Sequence, residues 1–86
     1  SNPDLTFAPN ENIATPENYR LGPGDEVIID IWGTNQNTIR QTISPDGFIN
    51  VDGIGILYLG GMTVKEADRY VRKQLNAIYS VDGVSP

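Results

Sequence analysis

Four aspartates, Asp25, Asp30, Asp46 and Asp52, are the side chains that would supply acid–base chemistry in this chain. A glycosidase-like reaction needs two carboxyl groups on opposite sides of a sugar bond, one donating a proton and the other acting as base or nucleophile. Their settings argue for other work. Asp25 and Asp46 stand in turn motifs, Asp52 precedes a glycine, and only Asp30 lies inside a strand-like stretch. The chain has no His, which removes the commonest general base and metal ligand. It has no Cys either, and so neither a disulfide framework nor a thiolate metal site. Asn50-Val51-Asp52-Gly53 echoes part of a calcium loop, but the first oxygen position falls on Phe48 and the closing Glu is missing. Gly60-Gly61 is not followed by Gly-Lys-Ser/Thr, so it reads as a strand-to-helix turn and not as a phosphate cradle. No catalytic residue, metal site or cofactor is expected.

Two further sets of residues are suited to binding. On a helical wheel Lys65, Arg69, Arg72 and Lys73 share one arc, flanked by Glu66 and Asp68. As a solvated face this arc would carry intrahelical pairs such as Asp68 to Arg72 at i, i+4, each contributing about 0.2–0.5 kcal/mol. As a docking surface it would meet a partner protein or the acidic part of another copy. Tyr19, Trp32, Tyr58, Tyr70 and Tyr79 offer flat faces to sugar rings. Their spacing forms no platform, and in a small domain such residues commonly fill the core or its rim.

These side chains depend on a sharply punctuated framework. Gly22-Pro23-Gly24-Asp25 fits a type II turn, with Pro23 presetting φ at the second position and Gly24 supplying a positive φ at the third. Beyond it Val27, Ile29 and Ile31 alternate with Ile28, Asp30 and Trp32, the pattern of a strand covered on one side and partly covered on the other. Gly33 to Asn37 is a polar loop, after which Ile39, Gln41 and Ile43 alternate with Arg40 and Thr42 in a second strand. Ser44-Pro45-Asp46-Gly47 fits a type I turn that would fold this strand back onto Phe48–Val51 as a hairpin. Gly53 and Gly55 mark a bend or bulge before Ile56–Leu59.

A helix is expected over about 63–78. Thr63 and Glu66 form a capping box, and Val64, Ala67, Val71, Leu75 and Ile78 recur every three or four residues. The stripe must be buried, and the strands are the elements available to cover it. The expected fold class is therefore α+β, a small mixed or antiparallel sheet of 3–5 strands with one amphipathic helix on one face.

Residues 1–18 hold three prolines and four asparagines without a period of 2 or 3.6, and they read as an extended arm or linker. Leu5, Phe7 and Ile13 are the apolar residues by which such an arm would lie against a neighbouring domain. Residues 80–86 read as a linker toward a following domain. The opening Ser1-Asn2, with neither Met nor signal peptide, suggests a piece of a longer secreted precursor. The apolar runs are far shorter than the ~20 residues a spanning helix needs. A folded unit of roughly 60 residues buries only about 60% of its unfolded surface, which leaves a thin stability margin and little room for a deep cleft.

The net charge is −5, from eleven acids and six bases, and it disfavours nucleic acid as a partner. The charge is also uneven. Residues 1–60 hold eight acids and two bases, whereas 61–86 hold three acids and four bases. Copies with such an asymmetry would associate head to tail and close into a ring, in which case reversing Lys65 and Arg72 to Glu weakens assembly in a salt-dependent way.

From Tyr19 to Tyr79 the chain resembles the bacterial polysaccharide biosynthesis/export domain. The resemblance is carried, in order, by Tyr19-Arg-Leu-Gly-Pro-Gly-Asp25 before an apolar strand and Trp32-Gly33, by Ser44-Pro-Asp-Gly-Phe-Ile49, by Asp52-Gly-Ile-Gly-Ile56, and by Gly60-Gly-Met-Thr-Val-Lys-Glu-Ala67 opening the helix. One departure is Val51-Asp52, where that family usually carries Leu-Pro or similar. The resemblance implies a non-catalytic periplasmic module of a capsule or exopolysaccharide translocon. It would be attached to the outer membrane through parts outside this chain and would assemble as a homo-oligomeric ring. Its implied partners are an inner-membrane copolymerase, often a tyrosine kinase, and the exported polysaccharide. Alternatives are a carbohydrate-recognition module that holds the polymer, and a fragment of an enzyme whose catalytic part lies elsewhere.

Overall fold

The computed structural model describes residues 4–8, 18–31 and 37–81. The fold is α+β: five strands in two antiparallel sheets and one helix. Strands β1 (Asp4–Ala8), β2 (Glu26–Ile31) and β3 (Asn37–Thr42) form one sheet in that order. Strands β4 (Phe48–Val51) and β5 (Gly55–Tyr58) form the second, and helix α1 (Val64–Val81) follows.

The alternation in β2 does what the period of two requires. Val27, Ile29 and Ile31 are buried while Glu26, Ile28 and Asp30 are half-buried. Ala67, Val71 and Leu75 of α1 join them, with Leu21, Ile43, Ile49, Val51, Leu57 and Leu59, in a single apolar core. Val64 and Tyr70 pack at its margin. No helix among the described residues is long and apolar enough to cross a membrane.

Three expectations are altered. The turn at Ser44–Gly47 forms, with Gly47 N–H donating to Ser44 O at 2.9 Å, but β3 and β4 do not continue as a hairpin ladder. Gly47 takes φ 92°, and its carbonyl accepts the N–H groups of both Leu59 and Gly60 at 2.9 Å. The chain is thereby turned toward the loop after β5, and β4 pairs with β5 instead. The glycine-rich stretch after Val51, expected as a bend or bulge, is the bend: it makes the turn of that hairpin, closed by Ile54 N–H to Val51 O at 3.0 Å.

The second change is in the expected arm, where Asp4–Ala8 is an edge strand whose register runs from Asp4 opposite Asp30 to Ala8 opposite Glu26. Five residues between Pro3 and Pro9 are too few for a period to declare itself. Pairing with β2 supplies the order, at an edge where proline flanks are tolerated. The rest of the arm, including Ile13, lies outside the described residues, as does Trp32. The third change is at the C-terminal end, where α1 continues to Val81, three residues past the expected stop. No Gly or Pro occurs between Gly61 and Gly83 to end it.

Gly47 and Gly60 meet backbone to backbone, and a Cβ built on Gly60 would lie 3.2 Å from Gly47 Cα. This contact holds the β3–β4 turn against the loop that launches α1. Leu75→Ala should cost about 2–5 kcal/mol in chemical denaturation, since the site is fully enclosed. Val71→Asp should leave no cooperative unfolding transition, because an unpaired charge in the core costs several kcal/mol against a thin margin.

Candidate functional site

Of the four aspartates that suggested chemistry, Asp25 and Asp30 are bonded within the fold. Asp25 is 1% exposed, and its Oδ2 accepts a hydrogen bond from Tyr19 Oη at 2.7 Å and another from Gly22 N–H at 2.9 Å. Its backbone N–H closes the turn on Gly22 O at 3.1 Å, with Gly24 at φ 90°, and its carbonyl accepts Ile43 N–H at 2.8 Å. Gly22, Pro23, Gly24 and Asp25 thus form a type II turn locked from inside by its own last side chain. Asp30 accepts from Thr38 Oγ1 at 2.8 Å across the β2–β3 pair, and Glu26 pairs with Arg40 at 3.4 Å. Asp46, beside Pro45 and Gly47, is exposed at one end of β4, and Asp52 is exposed at the other. Among the described residues no three His, Cys, Asp or Glu side chains stand together as a metal site would require.

The start of α1 is a reciprocal cap. Glu66 N–H donates to Thr63 Oγ1 at 3.2 Å, and Thr63 N–H donates to Glu66 Oε1 at 2.9 Å. The Thr63 backbone N–H, and then its hydroxyl, hold the Glu66 carboxyl below the ordinary glutamate range; slight burial opposes this, and Arg20 and Arg69 add smaller effects in the same direction. Arg20 lies 3.6 Å from Glu66 Oε1, and its guanidinium donates to Gly61 O at 2.6 Å. Two backbone bonds of 2.8 Å, Leu21 N–H to Met62 O and Gly61 N–H to Leu21 O, complete the seam between the first turn and the helix cap.

Lys65, Arg69, Arg72 and Lys73 do come together. With Asp68 and Asn76 they line one shallow groove on the outer face of α1. Arg72 Nε bonds Asp68 Oδ2 at 3.0 Å, the i, i+4 pair expected from the spacing. Lys65, Arg69 and Lys73 make no ion pair with other described residues.

The aromatics do not assemble into a described platform. Tyr19 is tied to Asp25, and Tyr70 packs on the core. Tyr58 is 61% exposed, with its ring edge-on to Phe48 at 5.6 Å between centroids. The side chains of Trp32 and Tyr79 lie outside the described residues. A cavity of about 190 Å³ between β3, the β4–β5 turn and the far half of α1 is lined mainly by Ile31, Ile39, Ile54, Leu75 and Ile78. It falls short of the roughly 300–1,000 Å³ usual for ligand pockets.

Sequence reasoning missed Tyr19 as the partner of Asp25 and Arg20 as the brace of the helix cap. Tyr19 stands six residues before Asp25, which is a local signal that was available. Arg20 reaches a carbonyl 41 residues away and left none.

A family model described as Polysaccharide biosynthesis/export protein matches residues 13–84. Neither the curated proteins nor the solved structures include a match to this chain.

Asp25→Ala removes the acceptor of the Tyr19 hydroxyl and the Gly22 N–H bonds, and urea denaturation should show a loss of about 2–4 kcal/mol. Thr63→Ala should cost about 1 kcal/mol. The depressed Glu66 carboxyl stabilises the fold above the ordinary glutamate range, and that contribution is lost as pH falls through its folded value. Circular dichroism should therefore find Glu66→Gln less stable than the parent near neutrality, with the difference narrowing as acid is added. A difference independent of pH would contradict the cap geometry.

Proposed function

The chain belongs to the polysaccharide biosynthesis/export protein family, and from that premise we propose that it is a non-catalytic periplasmic module of a capsule or exopolysaccharide export channel. Its work is architectural. It contributes a wall element to a ring of copies of the full-length protein and a docking surface toward an inner-membrane copolymerase with kinase activity. Attachment to the outer membrane is assigned to parts outside this chain.

One observation carries this reading: the match over residues 13–84 takes in every described element except β1, so an export role attaches to the folded unit as a whole. The disposition of the acids supports it. Asp25 is sealed in a turn, Asp30 and Glu26 are engaged across strands, and Asp46 and Asp52 stand at opposite ends of β4. The last two are in the turns that precede and follow this four-residue strand, so β4 lies between them.

The test is made in cells that depend on the full-length protein for surface polysaccharide. Val71→Asp, which removes the folded module, should abolish export, whereas Asp46→Asn combined with Asp52→Asn should export at the parental level. Sedimentation of the purified full-length protein should give a species several protomers in size, reduced by Val71→Asp. Loss of export in the Asp-to-Asn variant with its fold intact, or cleavage of polysaccharide by the purified protein, would overturn the non-catalytic assignment.

A further inference from the structure

We propose that the outer face of α1 bearing Lys65, Arg69, Arg72 and Lys73 binds the acidic groups of an anionic polysaccharide. The inference rests on the export reading and names the chemistry of the polymer that would touch this module. Four cations and a single acid, Asp68, line the groove. Asp68 is already held by Arg72, and Glu66, the other acid of these turns, is committed to its cap with Thr63. Lys65, Arg69 and Lys73 are exposed and make no ion pair among the described residues. These three recur every four residues, so they stand on successive turns about 6 Å apart along the helix axis. A compact anion would meet one or two of them. A linear chain with a carboxylate on successive or alternate sugars meets the whole ridge, and the Asn76 amide at its end can both donate to and accept from sugar hydroxyls.

Charge complementarity selects the occupant. The rival, the acidic portion of a second copy, would need three or more grouped carboxylates to match this ridge, and no three acidic side chains of the described residues stand together. Asp25 is buried, Glu26 is paired with Arg40, Asp30 accepts from Thr38 and stands opposite Asp4 in the register, and Asp46 and Asp52 are apart at the two ends of β4. Negative charge is spread over or spent within the fold, while positive charge is gathered on one strip. A polyanion is repelled by most of this acidic molecule and drawn to that strip.

The experiment uses the full-length protein with polygalacturonate as the acidic probe and dextran as the neutral one, titrated calorimetrically at low and at physiological salt. Polygalacturonate should bind, more weakly as salt is added, and dextran should not. Lys65→Gln, Arg69→Gln and Lys73→Gln together should lower the affinity at least tenfold and flatten the salt dependence. Arg40→Gln on β3 should leave both unchanged. Circular dichroism of each variant separates lost binding from lost fold. The proposal falls if the parent binds no polygalacturonate, if dextran binds equally, or if the triple variant keeps the parental affinity. It falls equally if the triple variant sediments as a smaller species without polymer present, because the strip then belongs to a contact between copies. None of these outcomes bears on the export assay, so the architectural reading stands or falls separately.

Discussion

The carboxylate of Asp25 is the point from which the rest of this small fold is organised. It is a charged group taken almost wholly out of water, which a marginal domain tolerates only when its oxygens are engaged. Here Oδ2 receives both the Tyr19 hydroxyl and the Gly22 N–H, while the same residue's backbone closes the turn and receives Ile43. The same short segment carries Leu21, which exchanges backbone bonds with Gly61 and Met62, and Arg20, which braces the cap of α1. The turn, the first sheet and the helix start are thus a single mechanical unit.

That economy is visible in how the described acids are used. Its buried acid is structural, two others are bonded across strands, and the cavity beside the far half of α1 is small and mainly aliphatic. The surface keeps what the interior does not use, above all the cationic face of α1. A helix fixed at its N-terminus by a reciprocal cap and along its length by Ala67, Val71 and Leu75 presents that face as a rigid ruler. Rigidity of this kind suits contact with an extended partner, because little order has to be gained on binding.

Much of this was legible in the residues because it is local. The type II turn is written in Pro23 and Gly24, the strand face in Val27, Ile29 and Ile31, and the helix in Thr63, Glu66 and a stripe of period 3.6. The basic face followed from the same wheel. What was not legible depends on distant backbone. The division into two sheets turns on Gly47 meeting Gly60 and on Gly47 O accepting two N–H groups, and neither glycine announces the other. Strand β1 is ordered by its pairing with β2 and not by a pattern of its own. The occupation of Asp25 and Asp30 also hid from view, since a carboxylate in sequence looks the same whether it is sealed, shared or free.

The tip of the β4–β5 hairpin contrasts with the interlocked glycines. Gly53 has φ 83° and no heavy atom within 4 Å of where a Cβ would stand, whereas Gly47, at φ 92°, lies against Gly60, where a Cβ would come within 3.2 Å of the Gly47 main chain. Lineages that lengthen this domain, or engineers who graft a loop or reporter into it, therefore have one open door at Asp52–Gly53 and a closed one at Gly47. Growth at the first extends an exposed tip, while growth at the second would pry apart the turn and the launch of α1 together.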